Sequence, residues 1–286
     1  MNIPEFLEEK EPFYKFNREE RNVAAILYHL LLVDGNLARF ADLVKANITT
    51  VTDQVEVYYE YSYLRDLWHR TRDKDKQQQN DKRRELVRSF LTPRIPALLQ
   101  DDSVFQFNEA LVGGRASSTD IQSPGRWSVM KIAGLLPDDG CEASSDRCEF
   151  LRTCRFKWAF NIKPDVVIFD AERRAICVEC KLDSGESSYP SEAVERREFD
   201  RRKLERVHQT ELQEYLMDSL LGFTTTFVYL TRKTPTSAHD KVSRAVVKPV
   251  GEQLAPRKTA LSWKGTFKAL PHATCPTFIR EWIDSL

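Results

Sequence analysis

No apolar run in this chain approaches the roughly 20 residues needed to cross a bilayer. The longest, Val23 to Val33, is short and interrupted by His29. The opening Met1-Asn-Ile-Pro-Glu-Phe-Leu-Glu-Glu-Lys is acidic where a secretory signal needs a basic start and an apolar centre. These two absences predict a soluble, cytoplasmic protein with no membrane partner. Net charge is also lacking, since 43 basic residues balance 43 acidic ones. Any polyanion must therefore be met by locally gathered charge. No phosphate loop is present, because Gly113-Gly114 is not followed by Gly-Lys-Ser/Thr, and no helicase or ATPase motif occurs. There is no internal repeat.

Cysteine is sparse, at six residues in 286. In a cytoplasmic chain that number predicts thiols or metal ligands rather than disulfides. Cys177 and Cys180 spell C-x-x-C, but on a strand they face opposite sides, which argues against a zinc knuckle. Cys141, Cys148 and Cys154 cluster, yet zinc wants four ligands at tighter spacing and no histidine lies nearby. Whether those three bind zinc stays open.

What the chain does contain is a pair of short β-rich runs, Lys163-Pro-Asp-Val-Val-Ile-Phe-Asp170 and Ala175-Ile-Cys-Val-Glu-Cys-Lys-Leu182. They flank a polar break at Ala171-Glu-Arg-Arg174, the pattern of a hairpin. Pro164-Asp165 opens the first run, and Glu179-Cys180-Lys181 closes the second. Side chains alternate faces along a strand at ~3.3 Å per residue, so Glu179 and Lys181 share one face. Ile176, Val178 and Cys180 then face the apolar core. Hairpin pairing can bring the Asp165 carboxylate beside that of Glu179, and two converging carboxylates suit a hard cation such as Mg²⁺. A neighbouring lysine can orient an attacking water and offset charge building on a phosphate.

Pro164-Asp165 with Glu179-Cys180-Lys181 resembles the PD-(D/E)xK nuclease superfamily, with residues 155–230 as the supporting core. The resemblance implies an α/β (α+β) restriction-endonuclease-like fold, a central mixed sheet flanked by helices, and metal-dependent phosphodiester hydrolysis. Asp165 and Glu179 would bind Mg²⁺, with Mn²⁺ as a substitute and the Cys180 carbonyl as a further ligand, while Lys181 assists the attacking water. It implies nucleic acid, DNA first, as substrate, and restriction or defence against foreign DNA as the role. One site per chain favours a homodimer for cutting both strands, and a separate activating protein is the other arrangement left open. A catalytically inactive member of the same fold, binding nucleic acid or a protein partner, is the alternative.

Two further family elements have counterparts. Arg202 to Leu221 carries apolar residues at helical spacing, Leu204, Val207, Leu212, Leu216 and Leu220, and Gly222 ends it, so an amphipathic helix is expected, followed by a strand over 223–231. Gln209, Gln213 and Tyr215 look like the Gln and Tyr that many members place on that helix, although the commonest spacing would fall on Glu211. A glutamate on the first core helix is matched by Glu20 or Glu19, with Glu109 as the other candidate. Asn17 with Glu20 equally fits a capping box.

The expected organisation is a mostly helical region over 1–100, a candidate source of the first core helix, a loop-rich insertion over 101–154 and the α/β core over 155–286. Helices are expected at Asn36–Lys45, at about Gln77–Phe90 and at Thr277–Leu286. Basic-leaning stretches at 69–76, 82–84 and 196–206 are interleaved with acids, so ion-paired helices are their plainer reading. Tyr58, Tyr59, Tyr61 and Tyr63 could stack on bases, though such alternation is commonly half core and half surface.

Overall fold

The computed structural model describes residues 19–33, 35–91, 103–113, 118–136, 148–181, 185–231 and 257–285. Among them are eleven α-helices and a five-stranded mixed sheet. The chain divides into two compact units, each assembled from separated segments: 1–61, 164–185 and 222–286 in one, 62–163 and 186–221 in the other. These bounds do not coincide with the three consecutive regions expected at 1–100, 101–154 and 155–286. The physical reason is strand pairing across long sequence separations.

The first unit holds the sheet. Its strands are β1 (Val55–Tyr59), β2 (Val166–Asp170), β3 (Arg174–Lys181), β4 (Thr224–Thr231) and β5 (Lys258–Ser262), in spatial as well as chain order. β1, β2 and β3 are antiparallel neighbours, and β3, β4 and β5 run parallel. The aromatic run in the N-terminal region, expected among helices, is therefore an edge strand. β3 is central and buried on both faces from Ala175 to Cys180, which explains its apolar run from Ala175 to Val178.

Helices α1 (Glu20–Leu31), α2 (Asn36–Leu43), α3 (Trp263–Ala269) and α4 (Thr277–Ser285) complete this unit. Val23, Ala24, Leu27, Leu30 and Leu31 of α1 are buried, one stripe at helical spacing. They join a single core with Val166, Ile168, Ile176, Val178, Cys180, Val228 and Leu230. The expected side assignment on β3 thus holds: Ile176, Val178 and Cys180 face the core, and alternation sends Glu179 and Lys181 the other way. The turn between α1 and α2 is fixed by buried Asn36, whose Nδ2 donates to the carbonyls of Leu30 (2.9 Å) and Pro271 (2.8 Å).

The polar break between β2 and β3 is a turn built around Asp170, only 4% exposed. Its Oδ1 accepts the N–H of Glu172 and of Arg174, both at 3.0 Å, and its Oδ2 accepts Thr49 N–H at 3.1 Å and Arg174 Nε at 2.7 Å. A carboxylate saturated in this way supports both the turn and β3's first residue.

The second unit is helical, with helices at Tyr63–Arg70, Lys76–Phe90, Val104–Leu111, Val129–Leu135, Glu149–Ala159, Ala193–Arg201 and Gln209–Glu214, the last continuing as a π-turn over Tyr215–Leu220. A two-stranded ribbon pairs Ser188–Tyr189 with Val207–His208. The continuous helix expected over 202–221 is corrected here. The helix ending at Arg201 closes when Leu204 N–H reaches back to Phe199, Lys203 turns left-handed at φ 57°, and Val207 enters the ribbon, so helix resumes only at Gln209. Gly222 does follow the helical segment, with φ 69°.

Candidate active site

The hairpin register brings the two acids together. Val166 faces Val178, so one further antiparallel step sets Asp165 across from Glu179. Asp165 Oδ2 accepts the Cys180 N–H at 2.7 Å, which locks its carboxylate against the Glu179-Cys180-Lys181 strand end. Its backbone is held from the other side: its carbonyl accepts Glu60 N–H at 2.8 Å, and that of Pro164 accepts Tyr61 N–H at 3.0 Å, prolonging the β1 pairing.

Lys181 Nζ lies 2.8 Å from Glu179 Oε1 and 3.8 Å from Glu20 Oε2. Of the two glutamates at the start of α1, Glu19 is the N-cap residue and makes no side-chain cap bond, while Glu20 is the one that reaches this ammonium. Asn17, the other half of the expected capping box, lies outside the described residues. Glu109 belongs to the second unit, where its carboxylate pairs with Lys131 Nζ at 3.2 Å.

The electrostatics are those of a carboxylate cluster short of positive charge. Burial, then the Glu179 charge and more weakly Glu20, push the Asp165 carboxyl up to about 7, against the opposing pull of the Cys180 hydrogen bond and Lys181. Burial works against the Lys181 charge, but Glu179, Glu20 and Asp165 together outweigh it and hold the ammonium above the usual lysine range. Glu179 is 3% exposed, so its charge relies on these neighbours rather than on water. Two of these carboxyl groups, Asp165 and Glu179, lie opposite each other on the paired strand ends and are hard-oxygen donors of the kind a divalent cation takes. Among the described residues, however, no three His, Cys, Asp or Glu side chains converge as a ready-made metal-binding group.

Gln209, Gln213 and Tyr215 are carried by the second unit. There Gln209 N–H donates to the Ser187 carbonyl at 2.9 Å, Gln213 is 1% exposed, and burial raises the Tyr215 hydroxyl to about 12 against the opposing charges of Arg152 and Arg155. The basic stretch after Arg196 is partly structural. Arg202 is buried, donates to Glu198 (2.7 Å) and to the carbonyls of Ala133 and Leu136, and lies 4.1 Å over the Phe150 ring. Within the stretches at 69–76 and 82–84, Lys82 pairs with Asp73 (2.7 Å), Lys76 with Asp120 (3.0 Å) and Arg84 with Asp81 (3.3 Å).

Three of the four tyrosines serve the fold: Tyr58 stacks on Phe169 at 5.5 Å, Tyr61 is buried beside both rings, and Tyr59 donates its hydroxyl to the Arg21 carbonyl at 2.9 Å. Tyr63 opens a helix of the second unit. Cys154, Cys177, Cys180 and Cys275 are free, whereas Cys148 is disulfide-bonded, which corrects the expectation of thiols or metal ligands rather than disulfides. Cys141 and residues 114–117 of the loop-rich stretch lie outside the described residues.

Two supports of the site carry no sequence signal. Trp263, 2% exposed, donates its indole N–H to the Lys181 carbonyl at 3.2 Å, holding the end of β3 from 82 positions away. Glu60, already bonded to the Asp165 carbonyl, also pairs with Arg21 at 3.3 Å. No family model matches the chain, and neither curated proteins nor solved structures provide a match. No single helix among the described residues is long and apolar enough to cross a membrane.

Proposed function

We propose that the chain is a Mg²⁺-dependent nuclease of the PD-(D/E)xK type, with a restriction-endonuclease-like core, that hydrolyses DNA phosphodiester bonds in restriction or defence against foreign DNA. One observation carries this reading. Lys181 sits 2.8 Å from Glu179 and 3.8 Å from Glu20, with Asp165 fastened to the same strand end by the Cys180 N–H. The pattern seen in sequence as Pro-Asp and Glu-x-Lys thus becomes one cluster within one unit.

In this reading Asp165 and Glu179 would hold the ion, with the Cys180 carbonyl as a further donor, and Mn²⁺ could replace Mg²⁺. Bound there, the ion would supply Lewis acidity toward the phosphoryl oxygens and the attacking water. Lys181 orients that water and offsets the charge that builds on the phosphate in the transition state. Glu20 keeps the ammonium in place while Glu179 is engaged elsewhere. Gln209, Gln213 and Tyr215 enter only through the family resemblance, and the proposal does not depend on them.

A second reading, a non-catalytic protein of the same fold, draws on the Lys181–Glu179 contact itself, in which an internal cation already neutralises the carboxylate. Plasmid nicking separates the two. With Mg²⁺ the wild type should convert supercoiled to open-circular DNA, EDTA should stop it, and Asp165→Ala or Lys181→Ala should lower the rate at least 100-fold. Metal-dependent nicking that survives both substitutions removes these residues from the mechanism, and a wild type that binds DNA without nicking it favours the second reading.

A further inference from the structure

Beside the carboxylate cluster, α1 presents a charged residue that the hydrolytic scheme leaves without a task. Arg21 follows Glu20 in the first turn, and its side chain is 68% exposed. Its backbone is anchored, because its carbonyl accepts the Tyr59 hydroxyl at 2.9 Å. Its guanidinium meets Glu60, with Nε 3.3 Å from Oε1. Glu60 adopts φ 49°, a left-handed conformation uncommon outside glycine, and its N–H donates to the Asp165 carbonyl. One glutamate thus braces Asp165 through its backbone and reaches Arg21 through its side chain.

A nucleic acid approaching this site meets the Glu20 carboxylate with Asp165 and the buried Glu179 behind it, while Lys181 is already placed between Glu20 and Glu179. Like charges repel, so the polyanion needs a cation at the rim. A guanidinium offers five donors in a planar fork that fits phosphate oxygens in pairs, and the contact through Nε engages one of them. An ion pair as exposed as Arg21–Glu60 adds little to stability, so exchanging its carboxylate for a phosphate costs little.

The geometry points to Arg21 as a phosphate-contacting residue of this site, held by Glu60 until a backbone phosphate of the substrate displaces the carboxylate. The inference rests on the nuclease reading and adds to it a substrate contact and a built-in competitor. Glu60 weakens binding in this scheme through Arg21, and that dependence is what the test reads.

Binding of a fluorescein-labelled DNA hairpin with a single-stranded tail is followed by anisotropy, with Ca²⁺ replacing Mg²⁺, over a series of salt concentrations. Arg21→Gln should weaken binding about tenfold and flatten the log–log salt dependence by about one unit. Arg21→Lys should keep the salt slope while losing part of the affinity, because charge remains and the fork is gone. Glu60→Gln should tighten binding severalfold, and the double variant should bind like Arg21→Gln alone. Unchanged binding by Arg21→Gln overturns the inference, as does a Glu60→Gln gain that persists without Arg21. If the wild type nicks plasmid with Mg²⁺ while Arg21→Gln binds normally, only the role of Arg21 falls. If the wild type neither binds the hairpin nor nicks plasmid, both readings fall.

Discussion

Replacing Lys181 with Met tests whether the site is an electrostatic unit, independently of any catalysis. Methionine keeps most of the lysine stem's volume and removes the charge. The change leaves Glu179, 3% exposed, facing Asp165 and Glu20 with its nearest cation gone. The 2.8 Å contact corresponds to about 6 kcal/mol of gross attraction at an effective dielectric near 20, before desolvation is subtracted. Measured losses on breaking a buried pair are about 3–5 kcal/mol, because the partner left behind stays charged and dry. At about 2–4 °C per kcal/mol for a domain of this size, Lys181→Met should lower Tm by roughly 10 °C. The assay is thermal unfolding by circular dichroism at neutral pH in EDTA, on wild type, Lys181→Met, Glu179→Gln and the double variant. The double variant should recover more than half of the loss, since the buried group left facing Met is then neutral. Added Mg²⁺ should raise the Tm of Lys181→Met more than that of the wild type, because the ion replaces the missing positive charge. A Lys181→Met protein as stable as wild type, or a double variant no better than the single one, refutes the coupling.

Asp170→Asn should cost about 2–4 kcal/mol at pH 7, because four donors converge on a carboxylate that is 4% exposed. Burial pushes the Asp170 carboxyl upward, but the Arg174 side chain and the surrounding N–H groups outweigh it and hold the carboxyl below its ordinary range. The stability it contributes is therefore present above about pH 4 and lost as pH falls through its lowered folded value. Acid titration of unfolding should show a shallower loss for Asp170→Asn than for wild type, and equal slopes would contradict the assignment. In the second unit, Arg202→Met should destabilise by about 3–5 kcal/mol, since Glu198 loses its buried partner while the carbonyls of Ala133 and Leu136 lose a donor. Urea unfolding measures it, and a loss below about 1 kcal/mol would show that water or Arg201 compensates.

The hairpin was legible because β-rich runs and a charged break are local signals, and strand alternation then assigns each side chain a face. That logic placed Cys180 in the core and Glu179 beside Lys181 on the other side. Helix α1 was legible from its apolar period, and Glu20 from its place in the first turn. The run over 202–221 failed because its apolar residues fit helical spacing as well as a turn, a short strand and a second helix, and the left-handed Lys203 breaks it where no glycine or proline gives warning.

The sequence by itself determined which residues could carry chemistry and which strand face they share, since two-residue alternation follows from covalent geometry alone. Only the tertiary structure decided that β1 is an edge strand of the same sheet, that Glu20 rather than Glu109 meets Lys181, and that Trp263 and Glu60 brace the site. Those relations join residues tens to more than a hundred positions apart. They are set by burying one apolar core and satisfying the backbone around it, and no local pattern encodes such long-range pairing.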